Sequence, residues 1–132
     1  MTIPIVDIFA GPGGLGEGFS SFFDDGSYRF KTVLSIEKDP QAHQTLELRS
    51  FYRQFRDKSK DVPDEYYSHL RGTITREELF KKFPIEAENA GLEAKCIELG
   101  GNGAKNSNEN VDSLITNAVG DKKIWGLLGG PP

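Results

Sequence analysis

The 132-residue chain has little cysteine, no long apolar run and no excess of positive charge. Its single cysteine, Cys96, has no second cysteine to pair with, which is typical of a protein from a reducing compartment. No stretch approaches the roughly 18 apolar residues of a membrane span, and the amino terminus lacks the basic and apolar regions of a signal peptide. These absences predict a cytoplasmic protein that contacts no membrane.

The charge balance also restricts the function. Lysine and arginine total 16 and aspartate and glutamate total 20, so the formal net charge is −4. A protein that binds nucleic acid by itself is usually basic, because neutralising phosphates supplies much of the affinity. The chain as a whole therefore does not resemble a free-standing nucleic-acid binder. One segment, 49–60, is locally basic, and we predict that it forms the solvated face of a helix.

The first third of the chain predicts a strand, a glycine turn, a helix and a second strand. Ile3–Phe9 is a short, β-branched apolar run of the kind found in buried parallel strands. Tyr28–Ile36 predicts the second strand, which ends at Glu37. The apolar residues between the strands have helical spacing: Leu15, Phe19, Phe22 and Phe23. This order predicts a βαβ unit with a parallel sheet.

The rest of the chain predicts further helices and two more strands. Asp39 and Pro40 are typical of a helix start, and Thr75 with Glu78 forms a capping-box pattern. We predict further strands at Lys95–Leu99 and Ile124–Leu128, a polar loop at Gly100–Asn110, and a helix capped by Asn110. The fold class is therefore α/β, with a partial parallel sheet, flanking helices and a helical insertion at about 57–93 in one domain spanning 1–132.

The glycine cluster and a downstream carboxylate predict a cofactor site. Gly11, Gly13 and Gly14 follow the first strand and allow the backbone to approach a ligand closely. Glu37 lies at the end of the second strand, where an acidic side chain can accept hydrogen bonds from ribose hydroxyls. Together they indicate a cofactor that contains adenosine. The alternative is a tight turn beside an unrelated surface glutamate.

The charge near the glycines suggests which cofactor it is. The spacing Gly11-x-Gly13-x-x-Gly16 matches the dinucleotide fingerprint, but we expect Asp7, at the end of the first strand, to repel a pyrophosphate. S-adenosylmethionine carries positive groups and no phosphate, so a carboxylate there suits it better. Phe9 offers a flat face to an adenine. The spacing thus favours S-adenosylmethionine, with a dinucleotide as the alternative.

Three segments together resemble the C5-cytosine DNA methyltransferases. VDIFAGPGGLGEGF is similar to the first motif of that family, which cradles S-adenosylmethionine. SIEKDP is similar to the second motif, in which the glutamate binds the ribose, and GLLGGPP is similar to the beginning of the fourth. The order of the segments matches, and the resemblance covers nearly all of the chain apart from the insertion. It implies a Rossmann-like, S-adenosylmethionine-dependent methyltransferase fold.

The resemblance also implies site residues. Lys38 departs from the family, which often has an aromatic or apolar residue there, although the aliphatic stem of Lys38 can partly replace it. The third motif has only Glu98-Leu99-Gly100 as a counterpart. No metal site is expected. The residues expected at the cofactor are Asp7, Phe9, Gly11, Pro12, Gly13, Gly14, Leu15, Glu37 and Lys38.

The family nucleophile is a cysteine that attacks C6 of the target cytosine, and the resemblance places it just after Pro132. Pro131 and Pro132 would begin the catalytic loop, so we expect no catalytic residue within the chain. Cys96 is expected to be a small buried apolar residue of a strand. His43 and His69 show no partner pattern and are expected at the surface.

The resemblance implies a whole protein that transfers a methyl group to cytosine in double-stranded DNA, with a restriction–modification system as one setting for it. The chain would be a piece of that protein, and inactive alone, with DNA contacted through the missing carboxyl-terminal part. A split enzyme with a partner chain would explain the same sequence. Two other readings remain open: an oxidoreductase fragment that binds NAD or FAD, and a degenerate interaction module without chemistry.

Overall fold

The computed structural model describes residues 1–99 and 108–131. The strands are β1 (Ile3–Ile8), β2 (Phe23–Asp24), β3 (Ser27–Tyr28), β4 (Phe30–Glu37), β5 (Ala94–Cys96) and β6 (Gly126–Gly129). The helices are α1 (Gly14–Ser20), α2 (Pro40–Arg56), α3 (Asp64–Leu70), α4 (Arg76–Lys82), α5 (Pro84–Glu93) and α6 (Asn108–Val119). Among the helices of this described part, none is long and apolar enough to cross a membrane.

A four-stranded parallel sheet forms the centre, with strand order β5-β4-β1-β6. Because every strand runs in the same direction, the chain returns through helices between strands. The sheet and its flanking helices confirm the predicted α/β fold, which is Rossmann-like. Strands β2 and β3 form a separate antiparallel hairpin that includes Phe23, which the sequence predicts on the first helix, and Tyr28, which it predicts at the start of the second strand.

The two faces of the sheet are packed differently. Val6 and Leu34 pack against Val111 and Val119 of α6 in an apolar layer. The side chains that alternate with them along the strands point to the opposite face, where buried polar groups include Asp7 and the hydrogen-bonded hydroxyls of Ser20 and Thr32, 2.7 Å apart.

The insertion has its own apolar core, built on one face of α2. Phe51 is fully buried there and contacts aromatic rings from α2 and from the inserted helices: Phe55, Tyr66, Phe80 and Phe83. The capping box is confirmed, since the Thr75 hydroxyl accepts from the Glu78 amide. Helix α5, at the end of the insertion, was not predicted.

Several boundaries differ from the prediction. Helix α1 ends at Ser20, so Phe22 and Phe23 lie beyond it and are exposed. Helix α6 already includes Asn108, so Asn110 is inside the helix and is not its cap. The predicted loop at 100–110 lies at 100–107 outside the described residues, and its last three residues belong to α6.

The prediction that 49–60 is a solvated face is wrong at Arg53. This side chain is 6% exposed and bonds both the Glu17 carboxylate of α1, at 2.7 Å, and the Glu93 carboxylate of α5. Burial lowers the pKa of Arg53, but the two carboxylates outweigh burial and hold the pKa above its ordinary value. Arg53 therefore links three helices.

Candidate functional site

The turn between β1 and α1 has an unusual backbone. Phe9, Gly11 and Gly13 all have positive φ, at 51°, 58° and 92°. At Gly13 the φ of 92° already disfavours a side chain, and a Cβ would also lie 2.8 Å from Leu46 Cδ1, so that Leu46 would have to shift. At Gly11 and Gly14 a Cβ would meet no atom within 4 Å, so their backbone borders open space. The glycines thus shape the turn and expose backbone at the carboxyl end of β1.

Glu37 fastens this turn to the neighbouring strand. One carboxylate oxygen accepts from the Gly11 amide at 2.6 Å, and the other accepts from the amides of Lys38 and Asp39 at 2.9 and 3.2 Å. A carboxylate has about four acceptor positions, so it retains capacity for another donor. The side chain is held in place by the backbone before any ligand arrives.

A pocket of about 240 Å³ opens where β1, β4 and β5 end. It is lined by Phe9, Ile36, Lys38, Ile97, Glu98 and Leu99. In open parallel sheets, ligands bind outside the carboxyl ends of the strands. The structure thus brings Phe9 and Lys38 together with Glu98 and Leu99. Gly100, the last residue of the expected third motif, lies outside the described residues.

The structure corrects the role expected for Asp7. Its side chain is 1% exposed and lies under α1, where a Cβ on Gly16 would be 2.9 Å from Asp7 Oδ2. Burial raises the pKa of Asp7, while the nearby Gly16 amide opposes the rise and Glu37 adds to it. Within 1–99 and 108–131 neither carboxylate oxygen makes a well-formed hydrogen bond. Asp7 therefore presents no exposed charge to a ligand, and its repulsion of a pyrophosphate does not discriminate between cofactors.

Leu15 also lies apart from the pocket. It is 50% exposed and lines a different, apolar groove with Phe19, Phe22 and Phe30. Pro12 is exposed in the turn. The first motif therefore divides between the pocket side, which holds Phe9, and the α1 side, which holds Leu15.

The proline segment touches the turn. After β6, a Cβ on Gly130 would lie 2.8 Å from the Phe9 carbonyl oxygen, and the Gly130 amide faces the Ile8 carbonyl at 3.4 Å. Pro131 follows and is exposed, whereas Pro132 lies outside the described residues. A glycine at 130 is thus needed for close packing against Phe9.

Three further expectations fail. Cys96 is exposed at the end of β5, with its thiol 3.6 Å from the Lys38 carbonyl oxygen, because the strand ends there. His43 is half-buried and bonds the Ala94 carbonyl at 2.9 Å. The His69 ring, also half-buried, bonds the Ile74 carbonyl at 3.1 Å. Both histidines thus have structural partners.

Sequence reasoning missed two pocket residues, Ile36 and Ile97. Each lies at or just beyond the end of a strand, and strand ends carry the ligand site in this class of fold. The position of both residues at or near predicted strand ends is the sequence signal that could have identified them. Both side chains add apolar surface next to Phe9.

The sheet order, the glycine turn after β1 and the carboxylate at the end of β4 define a Rossmann-like fold with a candidate nucleotide-cofactor site. The chain is similar to the type II methyltransferase M.Bpa9945I of Bacillus paralicheniformis, with 26% identity over 141 aligned positions. The alignment covers 97% of this chain and 30% of that relative, so the chain spans less than a third of its length. This distant relationship supports a methyltransferase family. No family model matches the chain, and no solved structure matches it significantly.

Proposed function

We propose that the chain is the S-adenosylmethionine-binding part of a C5-cytosine DNA methyltransferase. The similarity to a methyltransferase over 97% of the chain supports transfer of a methyl group. The resemblance of the three motifs supports cytosine in double-stranded DNA as the acceptor, and a restriction–modification system as the setting.

The observation that carries the cofactor proposal is the bond between the Gly11 amide and Glu37 Oε2. It holds the carboxylate at the glycine turn, next to the pocket residues Ile36 and Lys38 in sequence, where its remaining acceptor position can accept from a ribose hydroxyl. Phe9 and Ile36 would contact the adenine, and the stem of Lys38 would cover its edge. Glu98, exposed at the pocket rim, would accept from the adenine amino group.

The residues present fit this cofactor. Open space at Gly11 and Gly14 leaves room for the part of the ligand that extends from the ribose. When bound, S-adenosylmethionine would supply an electrophilic methyl group. The family's cysteine thiolate, expected directly after Pro132, would attack C6 of a flipped cytosine and make C5 nucleophilic. Since that group is not among the 132 residues, we expect the chain alone to bind cofactor without methylating DNA.

Calorimetric titration with S-adenosylmethionine tests the proposal. Glu37→Gln removes the charge that accepts the ribose hydroxyls, and a hydrogen bond to a charged group contributes about 1.5–3 kcal/mol. The dissociation constant should therefore rise about 10-fold to 150-fold. Asp25→Asn is the matched control: it removes the same charge from an exposed hairpin turn, where φ is 49° and asparagine is well tolerated. It should change the affinity less than about twofold. Equal weakening by both variants would contradict the assignment of Glu37.

A dinucleotide cofactor is the second candidate, and one observation favours it. The third glycine of the fingerprint, Gly16, packs closely on β1 at Asp7, as that fingerprint requires. Titration with NADH and with FAD therefore belongs in the same experiment. Binding of either, without binding of S-adenosylmethionine, would replace the methyltransferase proposal. Binding of none of the three would favour the degenerate interaction module.

A further inference from the structure

A second cavity, of about 340 Å³, lies between α1, α2 and the inserted helix α3. Its polar wall consists of Arg49, Thr45, Tyr52, Tyr66 and Glu17. Leu48 and Leu70 complete it with apolar surface. Tyr66 and Leu70 belong to α3, so the insertion closes a site that α1 and α2 alone would leave open.

Arg49 is the unusual member of this wall. It is half-buried, yet it forms no ion pair or hydrogen bond with any residue of the described part of the chain. By contrast, Arg53, Arg56 and Arg76 each bond a carboxylate. A half-buried guanidinium is costly unless its donors find acceptors, so Arg49 has a fork of donors available to a ligand.

Glu17 does not supply the missing partner. Its Oε2 accepts from Arg53 at 2.7 Å, and its Oε1 lies 3.6 Å from Arg56 and accepts from the Ser21 hydroxyl at 3.3 Å. Both oxygens of the one carboxylate of the wall are thus engaged by other side chains. Arg49 is the one cation that lines the cavity, and among the described residues its guanidinium has no carboxylate partner.

The tyrosine hydroxyls add neutral donors beside it. The rings of Tyr52 and Tyr66 lie 5.4 Å apart, centroid to centroid. Burial raises the pKa of Tyr66, and Tyr52, Tyr67 and Glu17 raise it further while Arg49 opposes them. The Tyr66 hydroxyl is therefore protonated at neutral pH and can donate.

We propose that this cavity binds a phosphate group, held by the Arg49 guanidinium and by the hydroxyls of Thr45, Tyr52 and Tyr66. Arginine matches the geometry of phosphate oxygens, and threonine and tyrosine hydroxyls are common additional phosphate donors. The site is separate from the pocket at Phe9 and does not depend on the proposed methyl transfer. The two regions approach each other at Gly13, where a Cβ would lie 3.5 Å from Arg49 Cδ.

Phosphate groups have two sources here, a free nucleotide and the DNA backbone, and titrations of the full chain distinguish them. One arm uses adenosine 5′-monophosphate, and the other uses a short DNA duplex at low salt. Arg49→Gln should weaken binding of whichever ligand occupies the site about 10-fold or more, because a charge-assisted hydrogen bond is lost. Arg71→Gln is the matched control, since Arg71 is exposed at the end of the same inserted helix and its side chain bonds Ser68 Oγ, at 3.4 Å.

Two more variants protect the test against a folding defect. Tyr66→Phe keeps the ring and removes one donor, so it should weaken binding about threefold. Arg49→Lys keeps the charge without the fork and should fall between wild type and Arg49→Gln. The proposal is overturned if neither ligand binds, or if Arg49→Gln and Arg71→Gln weaken binding equally.

Discussion

Replacing Arg53 with methionine tests the least expected feature of the fold. The Arg53 side chain is 6% exposed, bonds Glu17 at 2.7 Å and also bonds Glu93, whose side chain is 11% exposed. Methionine fills similar volume but removes the charge. Among the described residues, the Ser50 hydroxyl at 2.8 Å would then be the one side-chain donor left to the Glu93 carboxylate. A carboxylate would then remain buried without a counter-charge.

The expected cost follows from that arrangement. Breaking a buried ion pair by removing one partner destabilises a protein by about 3–5 kcal/mol. In a domain of this size the midpoint of thermal unfolding should therefore fall by about 10–20 °C. Arg29→Met is the matched control, because Arg29 pairs with Asp24 at the surface, with side chains 36% and 58% exposed. Such a pair contributes at most about 1 kcal/mol.

The free energy of unfolding of both variants is measured by urea titration, with far-ultraviolet circular dichroism as the signal. The reasoning also predicts that Arg53→Met combined with Glu93→Leu is more stable than Arg53→Met alone, because the stranded carboxylate is removed as well. If Arg53→Met unfolds within about 1 kcal/mol of wild type, or if the double variant is no better than the single one, the buried network does not hold the helices together.

Three further predictions concern stability and the pocket. Burial raises the pKa of Asp7 above its ordinary value of 3.8, so the folded chain binds a proton more tightly than the unfolded chain just above pH 3.8. The free energy of unfolding should fall as pH rises through that window. In Asp7→Asn this fall should be smaller when urea unfolding is measured at a series of pH values. Equal pH dependence in wild type and variant would refute the prediction. Gly130→Ala, whose Cβ would lie 2.8 Å from the Phe9 carbonyl oxygen, should cost about 1–3 kcal/mol and weaken cofactor binding in calorimetry. Gly129→Ala, at 3.6 Å from its nearest neighbour, is the control and should do neither. Thr75→Ala should cost about 1 kcal/mol in the same unfolding assay through loss of the α4 cap, and an unchanged midpoint would contradict the capping box.

The burial of Asp7 removes one reason to prefer S-adenosylmethionine as the cofactor. From the sequence, a carboxylate near the glycines distinguishes a cationic methyl donor from a pyrophosphate. In the structure this carboxylate is buried beneath α1. The preference for S-adenosylmethionine therefore rests on the three motifs and on the methyltransferase relative, whereas the geometry of Glu37 suits any adenosine cofactor.

The sequence by itself determined the glycine turn, the succession of β1, α1 and β4 and the position of Glu37, but not the β2–β3 hairpin between α1 and β4. These features are local: a turn with φ of 58° and 92° favours glycine, and Asp39 caps α2 from three residues away. The capping box of α4 is local in the same way.

Only the tertiary structure decided which polar groups are buried and which residues share a cavity. Arg53 meets Glu17 and Glu93 across separations of 36 and 40 residues, so a basic run that reads as solvated contains a buried cation. Ile36 and Ile97 reach one pocket only because β4 and β5 lie side by side in the sheet. Burial and pocket lining depend on which distant segments pack together. The periodicity of a sequence predicts local elements but does not specify which of them pack against each other.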